Sequence, residues 1–336
     1  MARFLVTGGA GYVGSHTVLA LHERGDEVVV IDDLSQGHRA AIPDSVELII
    51  QDIGDRERLK EIFSARRFDG VLHFAARSLV GESMREPLHY IAENVYNTLR
   101  VAEAAIKSGC LRFVLSSTAA LFGRPETIPI DEDASLSPIS PYGESKLMGE
   151  RGLEWAQRIH GLHWTSLRYF NASGADPRGR LGEDHDPETH LIPLAIHAAL
   201  GIGPELIVYG DDYDTPDGTA VRDYVHVTDL ADAHLRVLDR LADGLGGRYN
   251  VGNGTGYSVL EVIDSVERVS GRKVPHRVGP ARPGDPPVLL ASNARLVRDT
   301  GWTPRYSQLD DIVRTAWNWR AAHPGGFEAP VLPIAS

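Results

Sequence analysis

The sequence predicts an α/β protein: a doubly wound parallel sheet with helices on both faces, and a smaller, loop-rich α/β domain beside it. Three observations carry that reading. Short β-rich runs alternate with helix-length stretches through the first 120 residues. A glycine-rich turn follows the first of those runs. After about residue 171 the texture changes, and Gly, Asp and Pro collect into long stretches. Parallel strands need crossovers of roughly a dozen residues, usually helical, so the alternation implies helices packed over a parallel sheet.

The elements follow in order. Phe4 to Val6 is an apolar run, and residues 13–24 place Val13, Ala20 and Leu21 on one helical stripe. Val28-Val29-Val30-Ile31 is continuous and β-branched, the pattern of a strand buried on both faces. Val46–Ile50, Val71–Phe74 and Phe113–Leu115 are further strands, with crossover helices at 55–65 and 88–108. Ligands of such sheets lie beyond the carboxyl ends of the strands, near a reversal of strand order. Asn171–Glu188, Asp211–Thr219 and Val278–Pro287 read as loops, the last with four prolines and two glycines. Helices are expected near 191–200, 228–242 and 258–270. The expected division is a dinucleotide-binding domain over 1–171 and a second domain over 172–330. The segment of about 222–250 can pack back onto the first.

Composition narrows the function classes. The chain has 336 residues, and 46 acids against 34 bases give a net charge of -12. That balance argues against nucleic acid or an anionic membrane as a bulk partner. The single cysteine, Cys110, excludes an intrachain disulfide and a thiolate metal cluster. Nowhere do about 18 apolar residues run together, so no membrane span is expected. Arg3-Phe4-Leu5-Val6-Thr7 leads straight into glycines, leaving no room for a signal peptide, and a cytoplasmic protein is expected.

Two motifs carry chemistry. Thr7-Gly8-Gly9-Ala10-Gly11-Tyr12-Val13-Gly14 lies between a predicted strand and a predicted helix. Gly9, Gly11 and Gly14 fit the dinucleotide fingerprint of Rossmann-type folds: a tight turn, close approach of backbone to phosphate, and close helix–strand contact. The helix N-terminus then offers free N–H groups and a positive dipole end to a pyrophosphate. Asp32, at the end of the second strand, suits the hydroxyls of an adenosine ribose and repels a 2′-phosphate, which favours NAD over NADP. The second motif is Ser140-Pro141-Tyr142-Gly143-Glu144-Ser145-Lys146. Pro141 fits the first turn of a helix and Ser140 its cap. Tyr142 and Lys146 are then i and i+4, on one face. A free phenol titrates near 10, and a neighbouring ammonium favours its phenolate. That is the group needed to take a proton from an alcohol at neutral pH. The chain has four lysines, so this pairing is uncommon by chance. Leu115-Ser116-Ser117-Thr118 ends a predicted strand at the ligand edge, where a hydroxyl can bond both substrate oxygen and phenol.

Taken together, these residues resemble the extended short-chain dehydrogenase/reductase superfamily, and within it the UDP-glucose (UDP-galactose) 4-epimerase family. The likeness runs over nearly the whole chain. It includes His73-Phe74-Ala75, Val80-Gly81-Glu82-Ser83, Leu167-Arg168-Tyr169-Phe170-Asn171, Gly182-Glu183-Asp184 and Thr189-His190-Leu191-Ile192-Pro193. It continues through Tyr209-Gly210-Asp211-Asp212-Tyr213, Asp217-Gly218-Thr219 and Val221-Arg222-Asp223-Tyr224-Val225-His226-Val227. The resemblance implies that Tyr142 takes the proton from the sugar C4 hydroxyl, Thr118 shares that hydrogen bond, and Lys146 holds the nicotinamide ribose. The C4 hydride passes to tightly held NAD, the 4-keto sugar turns over, and hydride returns to its other face.

Cofactor contacts are implied at Gly8, Gly11, Tyr12, Val13 and Gly14, at Asp32, Asp33, Ser35 and Gly37, and at Asp52 and Ile53. They extend to Phe74, Ala75, Ala76, Ser78, Asn94, Tyr142, Lys146 and Phe170. Substrate contacts are implied at Thr118, Tyr142, Asn171, His190, Leu191, Ile207, Val208, Tyr209, Arg222, Arg282, Asp285 and Leu289. Two arginines suit a diphosphate, because each guanidinium can bond it at two points. His190, a lone histidine near acidic residues, is not evidence for a metal, and none is expected. Ser78 stands where some family members have Lys, and Thr118 where some have Ser. Leu289 replaces a tyrosine that narrows the sugar pocket in some members, so N-acetylated UDP-hexosamines are expected to fit. A UDP-uronic acid epimerase and a non-catalytic dinucleotide sensor stay open at this point. A 4,6-dehydratase needs a carboxylic acid after the strand-end hydroxyl, where Ala119-Ala120 stand. A homodimer through the 88–108 and 142–160 helices is implied.

Overall fold

The computed structural model describes residues 1–282 and 284–328. Residues 329 and 330, at the end of the expected second domain, lie outside them. The first half runs β1 (Arg3–Thr7), α1 (Tyr12–Arg24), β2 (Glu27–Asp32), β3 (Glu47–Ile50), α2 (Arg56–Ala65) and β4 (Gly70–His73). A single turn, α3 (Val80–Ser83), precedes α4 (Pro87–Ser108), β5 (Arg112–Thr118), α5 (Pro141–His160) and β6 (His163–Tyr169). The second half runs β7 (Asn171–Ser173), α6 (Leu191–Leu200), β8 (Leu206–Tyr209), β9 (Val221–His226), α7 (Val227–Ala242) and β10 (Gly247–Val251). It ends with β11 (Gly256–Ser258), α8 (Val259–Ser270), β12 (His276–Gly279), β13 (Val288–Leu289), α9 (Ala294–Thr300) and α10 (Leu309–Ala322).

Seven parallel strands form one sheet in the order β10-β6-β5-β4-β1-β2-β3. Alternate residues of each strand point to opposite faces. Phe4, Val6, Val28, Val30, Leu72 and Val114 meet α1 and α7 on one side. Leu5, Val29, Ile31, Val71, Phe113 and Leu115 meet α2, α4 and α5 on the other. Both faces are therefore core, which explains why the strands read as unbroken apolar runs. Fully burying one large aliphatic side chain contributes about 1.5–3 kcal/mol, so this two-faced core dominates the stability of the sheet half. The chain of about 222–250 contributes α7 to one face and β10 to the sheet edge. A third core gathers α6, α8 and α10 around Ile192, Ile196, Val262, Val266, Ile312 and Val313.

The structure corrects the reading of the loops. β7 lies inside the expected loop Asn171–Glu188, because Asn171–Ser173 pair in parallel with Tyr224–His226. β12 takes Val278 and Gly279 from the expected loop Val278–Pro287 by pairing with β8. β13 takes no more than Val288 and Leu289, beside Val221 and Arg222. Each is a short strand held by a partner far away in sequence, so its own residues carry little signal. The α5 start follows the reading closely: Pro141 is in the first turn and Ser140 accepts the Gly143 N–H at 3.2 Å.

Candidate active site

Strand order reverses between β1 and β4. The glycine loop after β1 lies at that reversal, and Phe74-Ala75 after β4 face it. Two of its glycines are demanded by the protein itself. Gly8 has φ +69°, and a Cβ there would stand 2.4 Å from the Ala75 nitrogen. A Cβ on Gly14 would stand 2.2 Å from the Gly8 carbonyl oxygen. Gly11 differs: a Cβ there would meet nothing nearer than 3.5 Å. It would instead fill the space in front of the loop, where the first-turn amides of α1 have no intrahelical partners. No acidic side chain in that turn offsets the positive end. The loop therefore fits a dinucleotide pyrophosphate on its own geometry.

Asp32 is buried, with one carboxylate oxygen accepting the Ala10 N–H and the other the Leu34 N–H, each at 2.9 Å. Burial raises its pKa, and those two amides work against the rise. Each oxygen keeps a lone pair for a ribose hydroxyl. Leu34 takes the left-handed conformation, φ 59°, under that clamp. Asp33 accepts from Ser35 N and Oγ, and Asp52 from Gly54 N, so both shape turns. Gly37 packs against Ala10, and the Ile53 side chain belongs to the sheet core. Phe74 packs against His234 with the rings tilted 42° to each other, while Ala76 and Ser78 are exposed. The Phe170 amide donates to Val251 at 3.1 Å. Asn94 spends both N–H donors, on Arg77 O and Ser145 Oγ, and accepts the Arg77 N–H. It ties the segment after β4 to α4 and α5.

At the end of β5, Lys146 is buried and its Nζ donates to the Ser116 carbonyl at 3.0 Å. The same Nζ lies 6.0 Å from the centre of the Tyr142 ring. Burial pulls the Lys146 pKa down to about 8, against the pull of Glu150 one helical turn later. The Tyr142 phenol is pushed up by burial, and a hydrogen bond with Thr118 opposes that push. The three hydroxyls of the strand end have different work. Ser116 bonds Tyr169 at 2.7 Å, and Ser117 donates to Glu150 at 2.8 Å. Thr118 accepts the Ala120 N–H at 3.1 Å and keeps its own O–H for the phenol side. Of the three, Thr118 is the one aligned with Tyr142.

Sequence reasoning gave no role to the groups beneath this site. Glu150 and Arg168 form a buried two-point ion pair at 2.6 and 3.1 Å. His73 bridges Thr7 at 2.7 Å and Thr98 at 3.0 Å; burial, then Lys146, lowers its pKa to about 3, so it is neutral. A buried acid, Asp223, takes the amides of Asn253, Gly254 and Ala291, and burial raises it to about 6. His73 and Arg168 are polar letters within apolar runs, and Glu150 and Asp223 stand beside arginines, so none of the four announces its buried partner.

The residues expected to hold the sugar nucleotide come from distant segments. Asn171 donates to the Asp223 carbonyl at 2.8 Å. Arg222 reaches Asp285 at 2.5 Å and lies in register with Leu289 across β9 and β13. The Arg282 guanidinium stands 4.1 Å over the Tyr209 ring. Ile207 and Tyr209 share one face of β8, whereas Val208 points into the third core, which removes its side chain from the ligand set. Leu191 starts α6 directly after His190, whose Nδ1 lies 2.5 Å from Glu183.

The description "NAD dependent epimerase/dehydratase family" matches residues 4–252. The chain belongs to that family. A UDP-glucose 4-epimerase of Halalkalibacterium halodurans is 47% identical, over 96% of this chain and 97% of the relative. A solved structure of the Brucella ovis UDP-glucose 4-epimerase in complex with NAD superposes with TM-score 0.92 at 44% identity, covering 95% of this chain and 98% of that one. The UDP-Glc/GlcNAc 4-epimerase of Campylobacter jejuni superposes with TM-score 0.84 at 40% identity, covering 95% and 99%. Within this family the fold is the NAD-binding Rossmann type, and the chain is an NAD-dependent enzyme.

Proposed function

We propose that the chain interconverts UDP-galactose and UDP-glucose by inverting the sugar at C4. The observation that carries this is the meeting of Tyr142, Lys146 and Thr118 at the end of β5, next to the glycine loop at the strand reversal. NAD, when bound, supplies a reversible two-electron acceptor at C4. Gly11, the α1 amides, Asp32 and Lys146 are the groups that would hold it. The chain supplies the proton chemistry. Tyr142 as phenolate takes the proton from O4, leaving a 4-keto sugar, and gives it back once the sugar has turned. The Lys146 ammonium, with Nζ 6.0 Å from the centre of the Tyr142 ring, favours that phenolate against the push of burial. Thr118 orients O4 and shares its proton. Arg222, Arg282 and Asn171 would hold UDP while the sugar rotates.

Leu289 favours a wider substrate range. It stands half-buried in β13 beside Arg222, and its side chain is shorter than a tyrosine. N-acetylated UDP-hexosamines would then be accepted too. The apolar surface of α4 and α5 supports a homodimer: Leu88 is 80%, Trp155 62% and Ile159 67% exposed. No helix of the described residues is long and apolar enough to cross a membrane, which supports a cytoplasmic location.

Proton NMR of purified protein with UDP-galactose, without added cofactor, tests the central claim. The UDP-glucose anomeric signal is expected to grow in. Continued silence after NAD is supplied would overturn the proposal and favour a UDP-uronic acid substrate or a sensor.

A further inference from the structure

We propose that Glu183, His185, Glu188 and His190 form a binding site for a divalent transition-metal ion, with zinc the best match, at the edge of the sugar-nucleotide cleft. This goes beyond the epimerase reading and reverses the expectation of no metal. That expectation treated His190 as a lone histidine. The fold brings His185 and two glutamates to it.

The four residues lie on the segment between β7 and α6. Their donor atoms all fall within 4.8 Å of one another. Glu183 Oε1 is 2.5 Å from His190 Nδ1 and 3.3 Å from His185 Nδ1. The Glu188 oxygens are each 3.7 Å from a histidine, Oε2 from His185 Nδ1 and Oε1 from His190 Nδ1. Zinc holds nitrogen and oxygen ligands at about 2.0–2.2 Å in a tetrahedron, which sets neighbouring ligand atoms about 3.3–3.5 Å apart. Three of the four separations lie within about 0.4 Å of that edge length; Glu183 and His190 stand closer, in a hydrogen bond that a bound ion would replace.

A second observation points into the same space. The Glu188 side chain is 94% buried, the complement of its 6% exposure. Its Oε1 accepts the amides of Thr189 and His190 at 2.7 and 2.8 Å. Its Oε2 has no hydrogen-bond partner among the described residues. His185 Nδ1 stands 3.7 Å from it, within ion-pair range but beyond a hydrogen bond. A buried carboxylate oxygen without a partner costs free energy, and a cation between Oε2 and His185 would offset it. Two carboxylates and two imidazoles match a divalent charge. The mixed nitrogen and oxygen set suits zinc, cobalt or nickel; calcium and magnesium take oxygen ligands in larger number.

The segment is also held ready. Arg320 donates to the Glu183 carbonyl at 2.7 Å and to Asp184 at 3.1 Å, and His38 lies 3.1 Å from the Asp184 carbonyl. Tyr12 of the glycine loop sets its ring edge against His185, 6.0 Å between centres. A metal here would fix His190 at the cleft mouth, so occupancy would reset how UDP is received without touching Tyr142 or Lys146.

The test uses the full chain stripped by a chelator and titrated with cobalt(II), whose visible absorption reports coordination by protein. One equivalent is expected to give intense tetrahedral bands that zinc then displaces. Glu188→Gln and His185→Gln are each expected to weaken binding by at least about tenfold. His276→Gln, a change at a histidine outside the cluster, should titrate like the parent. Absence of tetrahedral bands in the parent protein would overturn the site whatever the variants do. Equal cobalt affinity in the parent and both cluster variants, each with a parent-like circular dichroism spectrum, would overturn it as well.

Discussion

The two halves of the proposed site are built differently. The chemical half stands on strand ends and helix starts of one parallel sheet: the loop after β1, the end of β5, the first turns of α5. The sugar-nucleotide half is gathered from β7, β8, β9, β13 and the loop before α6, short pieces joined by parallel pairs and single ion pairs. Rigid elements suit atoms that must meet within tenths of an ångström. Loops suit a group that must hold a diphosphate while a sugar turns. The difference teaches where to expect an all-or-none loss and where a graded one.

The sharpest break is Tyr142→Phe. It removes the proposed proton acceptor and leaves the ring, the Lys146 bond to Ser116 and the glycine loop in place. Epimerisation is expected to fall by about 10³-fold or more, with NAD retention unchanged. Initial rates with UDP-galactose and the absorbance of bound cofactor check both halves of that statement. Activity within about tenfold of the parent would assign the proton transfer to another group.

Stability separates the halves next. Glu150→Gln strands the Arg168 guanidinium, which is 1% exposed and held by that carboxylate at two points. Removing one member of such a buried pair costs about 3–5 kcal/mol. The loss should show in chemical denaturation. It should also move the alkaline limit of activity downward, because Glu150 supports the charge on Lys146. Arg222→Lys, across the loop-built half, is expected to leave the denaturation midpoint nearly unchanged and to weaken UDP binding.

Much of the chemical half was legible because its signals are local. The glycine spacing, Asp32 at a strand end and Tyr142 four residues before Lys146 need no distant partner to be read. The helix at 191–200 was legible for the same reason. β7 and β13 were not, since three and two residues become strands only when β9 lies beside them. Nor were Glu150, Arg168 and His73, whose roles exist only once burial and a partner are known. Val208 shows the converse: a continuous strand reads as one unit, but pleating sends its middle residue into the core.

Acid should strike the buried histidines of both halves, since His226 of β9 is buried too and burial lowers its pKa to about 3. His16, His73 and His234 are buried, and burial lowers their pKa values to about 4, 3 and 4. Each is neutral when folded and charges near 6.5 when unfolded. Below about 6.5 the unfolded chain therefore binds more protons, and stability falls as pH drops toward 4. Asp223 acts with the opposite sign. Its folded pKa of about 6 lies above the unfolded value, so it stabilises in acid and loses that contribution as pH rises through 6. Thermal midpoints are expected to decline between pH 6.5 and 4. His73→Gln, which keeps a partner for Thr7 and Thr98, should make the decline shallower. A profile unchanged by that substitution would remove His73 from the account.

The smallest effect belongs to the loop-built half and tests selectivity rather than survival. Leu289→Tyr places a longer side chain beside Arg222, where β13 pairs with β9. UDP-galactose should turn over within a few-fold of the parent rate, because none of Tyr142, Lys146 or Thr118 is moved. UDP-N-acetylgalactosamine should lose about 10–200-fold in kcat/KM, the range over which a pocket rejects one extra small group by shape. The two substrates must be compared in the same preparation, since the ratio is the quantity that reports the pocket. If both fall together, Leu289 supports the packing of β9 and β13. If neither falls, the acetyl group is housed elsewhere. A fall confined to the N-acetyl sugar would show that a loop-built half can be retuned at one residue while the strand-built half goes on unchanged.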